Sequence, residues 1–254
     1  MRAYGFGTER LEQELKEIYP ERGVARMDRD STRRKGHAFE ILKKFSRNEI
    51  DILVGTQMIT KGYDFPNVTL VGVIAADLSL GFPDFRAGER TFQILSQVAG
   101  RAGRGDKRGT VIVQTFNPEH YAITAAENHD FRTFFEKEKA LREQLGYPPF
   151  SYLACLKLQG NNAKAAATMA ERMGREISEI LKKWPKRGKD IQILGPAEAP
   201  LSKLKGKYRW QILIKCGKAV LLHYLLEEVQ GLSRKILRSS GVSMIVDVDP
   251  YQML

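Results

Sequence analysis

The sequence predicts an α/β protein in two parts: a doubly wound parallel-sheet lobe, then a smaller α+β domain. Three observations support this prediction: the chain length, strand and helix patterns that alternate in the first half, and a different pattern after a proline pair. A chain of 254 residues is longer than a typical domain of roughly 100–200 residues, and its 43% hydrophobic and 28% charged residues are those of a globular protein. We expect two domains, residues 1–147 and residues 148–254.

In the first half, helical and strand patterns alternate. Apolar residues recur at helical spacing in three stretches, ERLEQELKEIYP (9–20), HAFEILKKF (37–45) and ERTFQILSQVAG (89–100). Strands are predicted at VARMD (24–28), DILVGT (51–56), VTLVGVIAA (68–76) and GTVIVQTF (109–116). The last three are continuous apolar runs, which indicate strands buried on both faces of a parallel sheet. In such a doubly wound sheet, ligands bind beyond the carboxyl ends of the strands.

The second half follows another pattern. Residues 121–147 are predicted to be mostly helical, and Pro148 and Pro149 end the helix because proline cannot continue it. The elements that follow are a strand at 152–158, a helix at 162–184, strands at 191–195 and 208–216, a helix at 218–238 and a strand at 242–248. This βαββαβ order predicts a ferredoxin-like domain, with helices on one face of an antiparallel sheet.

Several residues of the second half are interpreted as core. One apolar face of the predicted helix 162–184 is formed by Met169, Met173, Ile177 and Trp184. The two cysteines, Cys155 and Cys216, lie singly in apolar runs without a C-x-x-C spacing, so we interpret both as small core residues.

Positive charge is concentrated in the second half. The chain has a net charge of +11, of which residues 1–150 contribute +2 and residues 151–254 contribute +9. Such a surplus suits a polyanionic partner, although it also serves solubility alone. No apolar run reaches the roughly 18 residues of a membrane span, and the N-terminal residues lack a signal-peptide pattern, so we expect a cytoplasmic protein without membrane contact.

Two motifs of the first half carry candidate chemistry. In VGTQMITKGYDFPNV (54–68), Thr56, Gln57 and nearby backbone amides follow a strand and suit a nucleic-acid phosphate. Gly62 permits close approach of a ligand, and Asp64 can accept a hydrogen bond from a ribose hydroxyl. The alternative is a solvated turn. In QVAGRAGRG (97–105), Arg101 and Arg104 can neutralise a transferring γ-phosphoryl group or can form salt bridges. No G-x-x-x-x-G-K-[ST] phosphate loop occurs in the chain.

The basic stretches of the second half are KKWPKRGK (182–189) and SKLKGKYRW (202–210). They interleave cations with aromatic residues, a mixture that neutralises a DNA backbone and stacks bases. The candidate DNA contacts are Lys203, Lys205, Lys207, Tyr208 and Arg209, and the alternative is a solvated surface. Trp184 and Trp210 fit core positions, and the four histidines show no metal-ligand spacing, so no metal is predicted in this chain.

The two motifs VGTQMITKGYDFPNV and QVAGRAGRG resemble motifs V and VI of superfamily 2 helicases. Together with GTERLEQEL, RMDRD, PDFRAGER and LSKLKGKYRWQILIK, they resemble the C-terminal part of primosomal replication-restart helicases over nearly the whole chain. The sequence departs from many superfamily 2 relatives at Gln57, where aspartate is common, and at Gln97, where histidine is common.

The resemblance implies a RecA-like second helicase lobe with motifs IV–VI, then a C-terminal DNA-binding domain. ATP and Mg²⁺ would be held mainly by a first lobe encoded upstream, and zinc would be bound only in an upstream insertion. Arg101 and Arg104 would be catalytic, and Gly62, Asp64 and Gln97 would face the nucleotide. Thr56, Gln57 and Lys61 would face DNA. The chain alone would be inactive as an enzyme.

As function, the resemblance implies an ATP-dependent 3′-to-5′ DNA helicase that recognises stalled or repaired replication forks and initiates primosome assembly. Its partners would be forked and single-stranded DNA, other primosome proteins and single-stranded DNA-binding protein. Two alternatives stay open. One is a non-enzymatic nucleic-acid-binding protein with a helicase-like scaffold, and the other is a RecG-type branch-migration helicase, which would not predict the βαββαβ tail.

Overall fold

A computed structural model describes residues 7–28, 30–32, 36–60, 65, 67–100, 108–184 and 188–253. The described residues divide into two compact units, one within Met1–Gly81 and Gly88–Phe134, the other within Phe82–Ala87 and Phe135–Leu254. The short segment Phe82–Ala87 therefore belongs to the second unit, although its neighbours on both sides belong to the first. The sequence-based boundary between residues 147 and 148 stays a prediction.

The first unit combines helices with parallel strand pairs, which confirms a mixed α/β composition. Its elements are, in chain order, α1 (Thr8–Ile18), β1 (Val24–Met27), α2 (His37–Ser46), β2 (Ile52–Gly55), β3 (Leu70–Val73), α3 (Asp77–Leu80), α4 (Ala87–Ala99), β4 (Thr110–Val113), α5 (Tyr121–Glu127) and the start of α6 (Phe131–Leu145). Strand β1 pairs with β2 and β3 pairs with β4, each in parallel. The described strands form two separate pairs, so one continuous sheet stays a prediction.

The expectation that the apolar runs of the first unit are buried on both faces is wrong for β3 and β4. Leu70 is 61% exposed and Ile112 is 59% exposed. The inward neighbours Val73 and Val113 pack against a cluster that contains Phe92 of α4. Among the described residues, this cluster covers one face of the pair, so alternate side chains stay in solvent.

Residues 121–147 are mostly helical, as predicted, but they form two helices, α5 and α6, rather than one. His129, between α5 and α6, adopts a φ of 52°, which an α-helix cannot accommodate. Asp130 then accepts hydrogen bonds from the backbone N–H of Thr133 at 3.0 Å and from its hydroxyl at 2.5 Å. This is the N-terminal capping that begins a new helix.

The second unit has the predicted order of elements, β5 (Tyr152–Gly160), α7 (Ala163–Lys182), β6 (Ile191–Leu204), β7 (Lys207–Cys216), α8 (Ala219–Ile236) and β8 (Val242–Val248). Its strands form an antiparallel sheet in the order β6-β7-β5-β8. The hairpin of β6 and β7 is much longer than predicted. Lys205 and Gly206 both have positive φ, 49° and 80°, which suits a tight turn that lets the strands pair up to the tip.

Both faces of this sheet carry apolar clusters. On one face, Met173 and Ile177 of α7 and Leu225 of α8 are fully buried against β5 and β7, and Met169 and Trp184 pack beside them, as predicted. On the other face, Cys155 lies in a smaller cluster with Met253. Cys155 and Cys216 are buried free thiols, which confirms their interpretation as core, and burial raises the pKa of Cys155 to about 11. No helix within the described part of the chain is long and apolar enough to cross a membrane.

Gly55 provides a test of the β1–β2 pairing. A Cβ at Gly55 would lie 2.3 Å from the carbonyl oxygen of Met27, whereas a Cβ at Gly72 in β3 would meet no heavy atom within 4 Å. We therefore expect Gly55→Ala to lower the free energy of unfolding by about 1–3 kcal/mol, as overpacking does. The matched control Gly72→Ala should change it by about 0.5 kcal/mol or less. Urea unfolding measures both, and equal effects would contradict the pairing.

Candidate functional site

The carboxyl ends of β1 and β2 lie side by side and bring two loops together. Met27, the last residue of β1, pairs with Gly55, the last residue of β2. Thr56 and Gln57 follow immediately and are exposed, and the carbonyl of Thr56 accepts a hydrogen bond from the N–H of Ile59 at 3.1 Å. The structure thus places Thr56 and Gln57 at a strand-end edge, where a parallel sheet presents its ligand-binding groups.

Asp28 organises the neighbouring loop after β1. Its carboxylate accepts hydrogen bonds from the backbone N–H groups of Ser31 at 2.7 Å and of Asp30 at 3.0 Å, and from the hydroxyl of Thr8. The bond from the Ser31 backbone, then that from Thr8, lowers the pKa of Asp28 to about 2. Asp28 is only 7% exposed, and Arg26 lies 3.6 Å from the carboxylate. The loop beside Thr56 is therefore held by an ionised, buried carboxylate.

Sequence analysis did not single out Asp28. The signal was available, because an aspartate followed three residues later by serine is a pattern that closes a turn through side-chain hydrogen bonds. Asp77, at the start of α3, was also not predicted, and its partners lie far away in the sequence. Its carboxylate accepts a hydrogen bond from the hydroxyl of Thr115 at 2.8 Å and another from the N–H of Phe116 at 2.8 Å. Burial alone would raise the pKa of Asp77, but these hydrogen bonds lower it.

Five predicted site residues lie outside the described residues: Lys61, Gly62, Asp64, Arg101 and Arg104. The structure describes the helix that leads to the arginine pair. Helix α4 ends at Ala99 and carries half-buried Gln97 in its last turn. The hydroxyl of Ser96 beside it is buried without a hydrogen-bond partner among the described residues. The last turn of α4 therefore carries two polar side chains, Ser96 and Gln97, shortly before Arg101 in the sequence.

The predicted basic residues of the second unit are mostly brought together at the tip of the β6–β7 hairpin. Lys203, Lys205 and Lys207 are exposed there. Lys203 lies directly across the strands from Tyr208, with its ammonium nitrogen 4.8 Å from the ring centroid and 3.4 Å from the phenol oxygen. One face of the Tyr208 ring is therefore already occupied by a cation.

Arg209 belongs to a different surface. It follows Tyr208 on β7, so its side chain leaves the opposite face of the sheet. It lies across from Gln159, and its Nη1 is buried without a hydrogen-bond partner among the described residues. Its near neighbours on this face include Lys157, which forms an ion pair with Asp247 at 2.9 Å. The five predicted DNA contacts thus form a group of four at the tip and one separate residue.

Comparisons with known proteins identify two families along the chain. Residues 6–106 match the helicase conserved C-terminal domain, and residues 143–251 match the primosomal protein N C-terminal domain. The chain is 43% identical over 254 residues to the replication restart protein PriA of Bacillus subtilis, covering 100% of this chain and 31% of that protein. It is 41% identical over 249 residues to PriA of Haemophilus influenzae, covering 98% and 33%. The chain spans about a third of the length of these curated relatives.

The Asp28 network makes a prediction about pH. Its lowered pKa of about 2 lies below the unfolded value of about 3.9, so the carboxylate stabilises the folded state above roughly pH 4 and loses this effect as the pH falls toward 2. We expect Asp28→Asn to lower the free energy of unfolding at pH 7 by on the order of 2 kcal/mol. In urea unfolding at pH 7, 5 and 3, the difference between variant and wild type should shrink at the lowest pH. A constant difference would contradict the assignment.

Proposed function

The chain belongs to the PriA family of replication restart proteins, of which it is a C-terminal part, and on that premise we propose that it supplies the second motor lobe and C-terminal domain of an ATP-dependent 3′-to-5′ DNA helicase. The observation that carries the proposal is the succession of a helicase C-terminal domain and a primosomal C-terminal domain in one chain. The longer protein would recognise stalled or repaired forks and initiate primosome assembly in the cytoplasm.

Two finer statements about the fold belong to this proposal. The pairs β1–β2 and β3–β4 would be parts of one doubly wound, RecA-like sheet, because all four strands are parallel to their partners and alternate with helices. The second unit would be a ferredoxin-like domain. This is supported by its element order, its antiparallel pairing and the packing of both α7 and α8 against one sheet face.

The proposed nucleotide chemistry depends on the end of α4. Arg101 and Arg104 would neutralise the γ-phosphoryl group of ATP as it transfers, an effect worth roughly 10³–10⁵ in rate. Gln97, Gly62 and Asp64 would face the same nucleotide, while ATP and Mg²⁺ would be held mainly by the first lobe of the longer protein, and zinc by its upstream insertion. Support comes from α4, which ends at Ala99, two residues before Arg101 in the sequence.

The proposed DNA contacts lie on both units. Thr56, Gln57 and Lys61 would contact the backbone of a single strand, supported by the exposure of the first two at the end of β2. The tip of the β6–β7 hairpin would contact forked or single-stranded DNA through its lysines, supported by three exposed ammonium groups and the +9 charge of residues 151–254. Other primosome proteins and single-stranded DNA-binding protein would be further partners.

The catalytic assignment is tested in a full-length PriA-family protein that carries this chain. Arg104→Ala should abolish DNA-stimulated ATP hydrolysis and leave ATP binding largely intact, because the guanidinium is needed chiefly in the transition state. Steady-state hydrolysis and ATP titration measure the two quantities. The chain alone should not hydrolyse ATP. Turnover by the chain, or a normal kcat for Arg104→Ala, would refute the assignment.

The DNA assignment is tested by removing charge at the hairpin tip. Replacing Lys203, Lys205 and Lys207 with alanine should weaken DNA binding equally across sequences and flatten the log–log salt dependence by roughly 0.7–0.9 per lost phosphate contact. The matched control replaces three exposed helical lysines, Lys137, Lys164 and Lys235. Gel-shift titrations on forked, single-stranded and duplex DNA at two salt concentrations provide the measurement.

Equal effects of the two lysine triples would show that net charge, rather than the hairpin, attracts DNA. No effect of either triple would favour a protein-docking role for the C-terminal domain.

Tyr208→Ala tests stacking separately. If a base stacks on the ring face that Lys203 leaves open, this variant should weaken single-strand binding by roughly 1–3 kcal/mol with little change in salt dependence.

A further inference from the structure

One face of the antiparallel sheet is apolar at one end and polar at the other. Successive strand residues point to opposite faces, so Cys155, Lys157 and Gln159 of β5 lie on the same face. Cys155 belongs to the smaller apolar cluster, which contains Met253. Lys157 and Gln159 are only half-buried, and Ile245, which pairs with Lys157, is 50% exposed. In the part of the chain that the structure describes, the polar end of this face is therefore open to solvent.

Arg209 of β7 lies at this polar end. It pairs with Gln159, and residues directly opposite each other in an antiparallel pair share a face. Its Nη1 is buried without a hydrogen-bond partner among the described residues. A guanidinium is always charged, and its N–H groups are arranged as a rigid fork. A buried donor without a partner is costly, and more so on a charged group. An anion that binds Arg209 would therefore recover a cost that folding has already incurred.

The surrounding strands supply little negative charge to balance Arg209. Of the described strands β5, β7 and β8, only β8 contains an acidic residue, Asp247. Its carboxylate forms an ion pair with Lys157 at 2.9 Å. Strand β6 also pairs with β7, but its Glu198 lies across from Trp210 and so on the other face of the sheet. Arg209 thus carries a positive charge that no carboxylate on its own face balances within these described strands.

Two further cations flank Arg209 on the same face. Lys207 precedes Arg209 by two residues, so it lies about 7 Å away along the strand, and it is exposed. Lys157 is the diagonal neighbour on β5, at about 7–8 Å, which long side chains can span. A row of cations suits a chain of repeated negative charges better than a single carboxylate. A guanidinium fork can also bind two oxygens of one phosphate at once.

We propose that Arg209, with Gln159 and Lys157, binds one backbone phosphate of single-stranded DNA on the sheet face beside the hairpin tip. The inference rests on the proposed DNA contact of that tip and adds a second site to it. The guanidinium would bind two phosphate oxygens, and the amide of Gln159 would donate a hydrogen bond to one of them. The tip lysines are flexible point charges, whereas burial restrains Arg209. The lysines would attract the strand, and Arg209 would fix where it lies.

Fluorescence-anisotropy titration of this chain with single-stranded DNA tests the site. Arg209→Gln should weaken binding by about tenfold, because a charge-assisted, two-pronged phosphate contact is lost. It should also flatten the log–log salt dependence by roughly 0.7. Arg209→Lys keeps the charge but loses the fork, so it should keep the salt dependence and still bind less tightly. The matched control Arg172→Gln removes an exposed arginine of α7, which packs on the other sheet face, and should bind like wild type.

A carboxylate opposite Arg209 provides the reverse test. Gln159→Glu places an acceptor for the buried Nη1 directly across the strands and hardly changes the size of the side chain. We expect the melting temperature to rise and the affinity for single-stranded DNA to fall, because the new carboxylate occupies the guanidinium. The control Gln230→Glu adds the same charge on exposed α8, on the other side of the sheet, and should weaken binding much less.

The outcomes separate the inference from the proposed function. If Arg209→Gln and Gln159→Glu bind DNA like their controls while the tip lysine triple weakens binding, only the inference fails. Weaker binding by Arg209→Gln that only follows a lower folded fraction also overturns it. Where Arg209→Gln does not fold, Gln159→Glu decides. Loss of affinity for a poly-glutamate peptide, with DNA binding unchanged, would overturn the inference in favour of a protein ligand. If the wild-type chain binds no single-stranded DNA at low salt, the proposed DNA role fails and the inference with it.

Discussion

The stack of Phe85 on Tyr147 joins the segment Phe82–Ala87 to the rest of the second unit. These six residues lie within the helicase-like region of the sequence but belong to the C-terminal unit. The chain enters the second unit at Phe82, returns to the first unit within α4 and enters the second unit again within α6. The chain therefore passes between the two units three times instead of once.

Much of the secondary structure could be predicted from apolar periodicity, because the spacing of buried side chains reflects the geometry of each element. Strand β8 was predicted with its observed bounds, and α4 to within two residues. The predictions failed where a long-range contact or a single backbone angle decides. The break at His129 depends on one positive φ, and the membership of Phe82–Ala87 depends on rings distant in sequence. Neither leaves a periodic pattern.

Among the candidate site residues, too, some positions could be predicted from the sequence and others could not. The positions of Thr56 and Gln57 followed from their place after a buried strand, because strand ends in parallel sheets share one edge. The pairing of Lys203 with Tyr208 could not be predicted, since it requires the hairpin register. The separation of Arg209 from the lysines could have been predicted, since successive strand residues point to opposite faces. Asp28 could have been recognised from the serine three residues later, a spacing that closes a turn through side-chain hydrogen bonds.

The two buried thiols have a practical consequence. Cys155 and Cys216 are the only cysteines of the chain and are almost fully inaccessible, and a thiol with the raised pKa of Cys155 hardly ionises at neutral pH. Thiol-specific dyes and spin labels should therefore not react with either cysteine in the folded state. A pair of cysteines introduced on the surface, one in each unit, would then be the labelling positions of this chain. The distance between the two probes can be measured without first removing Cys155 or Cys216.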